Sequence, residues 1–286
     1  MNYTYRPLLL LFLLTISPLR AFDQSHFFQA PFFPEGPRFA TKDLTSARLR
    51  FAEGVTHTRT DSCGAPRNTA DNRYRIEAIV GDFVHNFGEE IYAGITIPVY
   101  QFHIREDAIW FRDSSLGNIC LSIGWTTHYE ACRELDFVDF SIETGVIAAT
   151  ANRPWQTSGV PLRAVVEFGL YDWLSTGLAA DAVVFFDCNN GRLWDVSWFL
   201  KADHVVRGFS FGFGYTHSDQ TTTPVPWSDE IVPFWRMNSF NFIIGYDLAC
   251  ETSPLSPEIE FFYNKVLDGK NVVRTPSAGI SVTVRF

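Results

Sequence analysis

The sequence has no long apolar run after its first 21 residues, and this absence excludes a protein that crosses a membrane as helices. A spanning helix needs roughly 20 consecutive apolar residues. The one apolar run, residues 8–16, follows Arg6 and precedes Ala21, a plausible cleavage position. This pattern is typical of a secretory signal peptide, so we expect residues 1–21 to be removed.

Cysteine and positive charge are also scarce. The chain has five cysteines, and none forms a CxxC motif or a Cys/His spacing that would indicate a metal site. We therefore expect no metal and no cofactor. Without residues 1–21 the chain keeps 21 basic and 32 acidic residues, a net charge of -11. That charge argues against nucleic acid as a partner.

Aromatic residues, in contrast, are abundant and are interleaved with polar ones. Aromatics make up 16% of the chain, and a hydrophobic content of 46% gives a mean hydropathy of only -0.01. Aromatic rings concentrate at both interfaces of transmembrane β-barrels. A closed barrel is also the one alternative to helices that satisfies every backbone group in lipid. The composition therefore favours a barrel.

Alternation with a period of two residues recurs twelve times after residue 43. The segments begin near residues 44, 72, 89, 116, 137, 160, 175, 192, 205, 234, 257 and 272. Each places apolar residues on one face and small, polar or charged residues on the other, as Phe211 and Phe213 alternate with Gly212 and Gly214. The pattern predicts an all-β fold: a closed antiparallel transmembrane barrel of about twelve strands. Between ten and fourteen strands fit the pattern, with short turns at one end and longer loops at the other.

The last nine residues show the alternation most strictly. One face carries Ala278, Ile280, Val282, Val284 and Phe286. A segment of this kind that ends on an aromatic residue resembles the terminal strand of Gram-negative bacterial outer-membrane β-barrel proteins. The resemblance implies a place in the cell outer membrane, with its lipid and the barrel-assembly machinery as partners, and Phe286 as the assembly signal. The soluble alternative is a secreted β-sandwich, whose outward faces would be polar.

Three parts follow from these patterns: a signal peptide at 1–21, an arm at 22–43 and a transmembrane barrel at 44–286. The arm is rich in phenylalanine and proline. It would plug the barrel, lie along its periplasmic rim or form a loosely ordered lead-in to the first strand. Gated uptake barrels for hydrophobic compounds use N-terminal plugs, and the glycine-rich strands of this chain are loosely similar to those transporters in architecture.

Charged residues on the inward faces are the candidates for contact with a permeating solute. The candidates are Arg48, Arg50, Arg73, Arg75, Glu77, Asp139, Glu143, Arg163, Glu167 and Asp181. The same faces also hold Asp195, Lys201, Glu258, Glu260 and Arg285. In a ring of twelve, the first two strands lie opposite the fifth to seventh, which predicts one mainly basic and one mainly acidic wall. Such walls set solute selectivity; the alternative is that charges simply face water and their grouping is chance.

The function that these features favour is passage of small-molecule solutes, with hydrophobic compounds included, through the lumen. A structural or adhesive barrel without transport is one alternative, and an outer-membrane lipid hydrolase is another. A hydrolase needs a histidine beside a serine or an acid. The nearest pair, His217 and Ser218, are neighbours on a strand and point to opposite faces. We therefore predict that the protein is not an enzyme.

Overall fold

The computed structural model gives the barrel region of the chain. It describes residues 45–67, 71–88, 90–130, 135–151, 156–187, 191–206, 208–224, 231–248 and 256–286. The predicted signal peptide and N-terminal arm lie outside the described residues. Within those residues, no helix has the length and apolar character needed to cross a membrane.

Thirteen strands form one antiparallel sheet. They are β1 (Thr45–Thr56), β2 (Arg73–Asn86), β3 (Ile91–Glu106), β4 (Ile109–Leu116), β5 (Ile119–Glu130), β6 (Phe137–Ala148), β7 (Gly159–Tyr171), β8 (Leu174–Phe185), β9 (Arg192–Val206), β10 (Phe209–Gln220), β11 (Trp235–Asp247), β12 (Ser256–Lys270) and β13 (Ser277–Arg285). Two further pairs of two-residue strands are Arg59–Thr60 with Pro66–Arg67, and Thr223–Pro224 with Ile231–Val232.

The sheet closes on itself because the first strand pairs with the last. Ala47 lies opposite Val284, and the backbones of Thr45 and Phe286 exchange two hydrogen bonds of 2.9 Å. Because the ring is closed, it has no free edge. The backbone groups of each strand in it can pair with those of two neighbours, as a strand that crosses a membrane requires. All strands except β4 belong to this ring. The predicted closed antiparallel barrel of about twelve strands is confirmed.

The thirteenth strand, β4, was not predicted from the sequence. The first half of β3 pairs with β5 up to Thr96, opposite Cys120, and its second half pairs with β4 from Val99, opposite Leu116. β4 and β5 therefore lie one after the other along the same side of β3, with a break at residues 117–118. The hairpin of β3 and β4 extends the wall beyond the ring on one side.

The two ends of the barrel differ in their connections. Thr45 and Phe286 lie at the end where β7 joins β8 through residues 172–173 and β9 joins β10 through residues 207–208. We name this the inner end, because short turns and the chain termini face the periplasm in such barrels; the opposite end is the outer end. The sequence predicted one of these turns at 203–204. β9 runs to Val206 because its pairing with β10 is irregular after Ala202.

The predicted outward faces are correct for every ring strand except β2. On β2 the register is the reverse: Ile79 and Phe83 face outward with 45% and 52% exposure, and Ile79 lies opposite the outward Phe51. The inward set is also apolar and packs against inward rings of β3 in a buried cluster. Because both faces of β2 carry apolar residues, alternation could not fix its register.

The prediction that Arg73, Arg75 and Glu77 line the lumen is therefore wrong. These three side chains lie on the outer surface of β2, near the outer end. A shift of one residue moves a whole strand's side chains to the opposite face, so the three residues are misplaced together. The shift also brings an unpredicted acid, Asp82, into the lumen, where it is 3% exposed.

Several inward rings lie flat over a glycine on the neighbouring strand. A Cβ at Gly124 would fall 2.2 Å from Cζ of Tyr92, and one at Gly177 would fall 2.3 Å from Cζ of Phe199. The same arrangement joins Tyr100 to Gly117, Phe137 to Gly169 and Phe262 to Gly279. The glycines on the inward faces therefore leave space, and large inward side chains of neighbouring residues occupy that space.

Deleting Phe286 is expected to impair assembly of the barrel. The deletion removes the terminal ring and also the backbone group that exchanges two hydrogen bonds with Thr45 across the closing seam, each contributing roughly 1 kcal/mol. Heat-modifiable gel mobility of the membrane fraction measures the folded yield. Phe286→Tyr is the control, because it keeps both the ring and the backbone. A normal folded yield of the deletion variant would contradict the assembly-signal hypothesis.

Candidate functional site: the barrel lumen

Inward side chains fill the lumen in two layers of different chemistry. Towards the outer end the side chains are apolar, and we name this the apolar layer. Towards the inner end they are mostly charged, and we name this the ionic layer. The two layers follow from the inward faces of the same strands, because those faces change from apolar to charged along the barrel axis.

The apolar layer joins strands from opposite sides of the ring. Its members are Cys120, Ile147, Val183, Phe185, Leu193, Trp235, Met237, Val266 and Val272. The cysteine belongs to β5, whereas Trp235 and Val266 belong to β11 and β12 on the far side. Trp235 is fully buried, and its indole Nε1 donates a hydrogen bond of 2.9 Å to Gln220 Oε1. The layer therefore crosses the lumen rather than coating one wall.

A loop between β12 and β13 folds into the outer mouth. We name residues 271–275 the mouth loop. The amide of Thr60 donates to the carbonyl of Val272 at 2.8 Å, and the amide of Arg274 donates to Thr58 at 3.0 Å. Val272 packs in the apolar layer, and Val273 packs in the separate cluster on the inner face of β1 to β3. The loop thus sits between the two apolar surfaces and closes the space above them.

The basic side of the ionic layer is paired with acids from the adjoining strands. Arg50 forms a buried ion pair with Asp82, whose carboxylate also accepts a hydrogen bond of 2.8 Å from Thr96 Oγ1. Arg48 lies within electrostatic range of Glu258 and Glu260 on β12 as well as Asp82. The two predicted arginines of β1 do face the lumen, but acids surround them.

Lys201 on β9 links the two sides of the ionic layer. Its ammonium lies within electrostatic range of Glu167 on one side and of Glu258 and Glu260 on the other. The intervening strands carry small inward residues: a Cβ at Gly245 would fall 3.6 Å from Glu258 Oε1 and 3.7 Å from Glu260 Cγ. The absence of a side chain at Gly245 leaves room for the hydroxyl of Ser210, the atom that a Cβ there would meet first.

The acidic side of the ionic layer lies on β6 and β7. Asp139 and Glu167 are directly opposite each other on these strands. His128 Nδ1 lies 2.6 Å from Asp139 Oδ1, and Ser175 Oγ donates to Glu167. Both carboxylates are buried. Each predicted acid therefore has a polar neighbour as well as an acidic one.

A second charged cluster lies farther along the same strands. Tyr92 extends across Gly124 and donates from its hydroxyl to Glu143 Oε2 at 2.8 Å. Glu143 is directly opposite Arg163, whose Nε lies 3.5 Å from Asp181 Oδ1. Arg163 is only 1% exposed, so this guanidinium is a buried cation between acids of β6 and β8.

The sequence predicted one mainly basic and one mainly acidic wall. The lumen does not have this arrangement. Asp82 faces the lumen beside the basic residues, and Arg163 and Lys201 lie among the acids. The mouth loop was also missed, because the last strand was predicted to begin near residue 272, whereas it begins at Ser277. Asp82 was not predicted to face the lumen because the register of β2 was predicted wrongly. Pairing Ile79 with the outward Phe51 would have given the correct register and placed Asp82 inside.

No family model matches this chain, and no curated protein matches it. Among solved structures, an outer membrane channel from Pseudomonas putida F1 has a TM-score of 0.72 at 13% identity, covering 89% of this chain and 100% of that chain. A FadL homologue of Pseudomonas aeruginosa has a TM-score of 0.36 at 10% identity, over 86% of this chain and 90% of that chain. The likeness to the first structure shows that this chain has the fold of an outer-membrane β-barrel protein.

Proposed function

We propose that this protein is an outer-membrane channel or transporter that passes small solutes, including hydrophobic ones, through its lumen. The observation that carries the proposal is the ionic layer. Buried ion pairs are seldom more stabilising than well-packed apolar residues of similar volume. A barrel that only had to be stable could fill its lumen with apolar side chains, as this one does near its outer end. Charges retained inside the ring thus favour a role in passage.

The order of the two layers suits a solute that has both apolar and polar parts. A molecule entering at the outer end passes the mouth loop, meets the apolar layer and then reaches the ionic layer. Apolar side chains bind the apolar part, while charged groups replace the water around the polar part. The outer membrane is the proposed location, supported by the fold and by the apolar belt of exposed side chains such as Leu49 and Leu121.

A catalytic role has less support. His217 Nδ1 lies 2.6 Å from Asn238 Oδ1, whereas Ser218 is buried on the opposite face of β10, so the nearest hydrolase pair is not assembled. A structural barrel without transport is the second candidate. The complete burial of lumen rings such as Trp235 and Phe102 favours it, and it requires a lumen that does not conduct.

Conductance of single molecules in a planar bilayer distinguishes these two functions. Val272→Ala with Val273→Ala is expected to raise the size or frequency of conductance steps above the wild type. The change removes apolar packing that holds the mouth loop in place, at roughly 0.8 kcal/mol for each buried methylene. Val146→Ala with Val282→Ala is the matched control, because these two valines face outward.

Current that rises only in the mouth-loop variant would support passage through the lumen. A structural barrel without transport would be favoured if neither variant conducts and if liposomes containing the protein take up no small hydrophobic compound.

A further inference from the structure

The apolar belt ends on a single row of residues across β1 to β4. The last apolar row consists of Phe51, Ile79, Val99 and Leu116, which are paired in that order and all exposed. The next row towards the outer end consists of Glu53, Glu77, Gln101 and Ser114. Because four adjacent strands change on the same row, this boundary marks the edge of the lipid hydrocarbon.

Beyond the boundary the outward face of β2 to β4 is basic, whereas β1 carries the half-buried Val55. The first basic row is Arg75, His103 and Arg112, and the second is Arg73, Arg105 and Trp110. One row is two residues, roughly 6.7 Å along a strand, or about 5 Å of height at the usual barrel tilt. On each strand, these positions therefore lie about 10 Å and about 15 Å higher than the last apolar residue of that strand. Arginine side chains can reach back towards the headgroups from that height.

Not all of these arginines are equally available. Arg75 Nε lies 2.8 Å from Glu53, and its Nη2 lies 2.6 Å from Glu77, so its charge is neutralised. Arg105 is 3.8 Å from Asp71. Within the part of the chain that the structure describes, neither Arg73 nor Arg112 forms an ion pair, and both are exposed.

Trp110 adds an aromatic surface to this basic face. Its side chain is 75% exposed, and Arg105 Cζ lies 4.7 Å from the ring centroid. The stacked guanidinium covers one face of the indole and is itself held in position. We name Arg73, Arg105, Arg112 and Trp110 the arginine surface.

We propose that the arginine surface binds a phosphorylated glycolipid of the outer leaflet. Two kinds of group follow each other along the strands: apolar side chains, then guanidinium groups beside an exposed indole. They match acyl chains and the phosphorylated sugar that carries them in one such lipid. Guanidinium forms strong, charge-assisted hydrogen bonds with phosphate. The proposal rests on the outer-membrane location, but it does not depend on passage of solutes.

Native mass spectrometry of the detergent-solubilised protein can test this binding, with bis-phosphorylated lipid A as the probe. Arg73→Gln with Arg105→Gln and Arg112→Gln is expected to weaken binding by at least about tenfold, because three phosphate contacts are lost. The same variant should bind dephosphorylated lipid A as the wild type does. The triple Arg→Lys variant should retain much of the binding, because it keeps the positive charges.

Arg192→Gln with Lys265→Gln and Lys270→Gln is the matched control, since it removes three exposed positive charges from other strands. Heat-modifiable mobility confirms that each variant is folded. Equal weakening by both triple variants would overturn the proposal, as would equal binding of both lipids by the wild type. Conductance of the arginine variant should equal that of the wild type, so the outcome is independent of the proposed transport.

Discussion

Replacing Arg163 by methionine is expected to lower the free energy of unfolding by about 3–5 kcal/mol, the usual cost of removing one partner of a buried ion pair. Arg163 is 1% exposed and lies between Glu143 and Asp181. Without it, Glu143 keeps only the hydroxyl of Tyr92 as a hydrogen-bond donor among the contacts described above. Urea unfolding of the refolded protein in detergent micelles, followed by tryptophan fluorescence, measures the change.

A second substitution separates charge from packing in this cluster. Glu143→Gln removes the acid directly opposite Arg163 on the neighbouring strand, so the double variant Arg163→Met with Glu143→Gln should recover part of the loss. Arg163→Lys should cost less than Arg163→Met, because a cation remains between the acids. A double variant whose loss equals the sum of the two single losses would show that the two groups do not interact. In that case the cost would come from packing alone.

The fold could be predicted from the sequence wherever one face of a strand is apolar and the other is not. On β10, the rings of Phe209 to Tyr215 alternate with serine and glycine, and the predicted faces are those of the structure. On β2 both faces are apolar, since Tyr74 and Ile76 pack inside while Ile79 and Phe83 face lipid. Alternation contains no information about register in such a strand, and pairing with a neighbour decides it.

The candidate site was predicted as a set of inward residues but not as a set of contacts. The inward direction of Glu143, Glu167 and Arg163 follows from period two. Which polar groups meet inside the lumen depends on side-chain reach over glycines such as Gly124, across which Tyr92 extends to Glu143, and a sequence read strand by strand does not contain that distance. The extension formed by β4 escaped notice for a related reason: its outward residues lie beyond the lipid, so they lack the apolar alternation that indicated the other strands.

Replacing Lys201 by methionine is expected to shift the reversal potential of a conducting barrel towards cations. The substitution removes a cation that lies 3.6 Å from Asp203 Oδ2 and within electrostatic range of Glu167, Glu258 and Glu260. For an ion about 7 Å away, one unit charge contributes about 0.6 kcal/mol at the dielectric constant of bulk water and about 2.4 kcal/mol at an effective value of 20. The cation permeability should therefore rise, and the anion permeability fall, each by a factor between about threefold and about fiftyfold.

The matched control is Lys265→Met, which removes a lysine from the outward face of β12 and should leave the reversal potential unchanged. The shift in the Lys201 variant should shrink as salt rises, because the screening length falls from about 10 Å at 0.1 M to about 3 Å at 1 M. Adding Glu260→Gln to the Lys201 variant should restore the wild-type preference, because one lost positive charge is then matched by one lost negative charge. A reversal potential that stays unchanged at low salt, in a variant that still conducts, would place the permeation path away from the ionic layer.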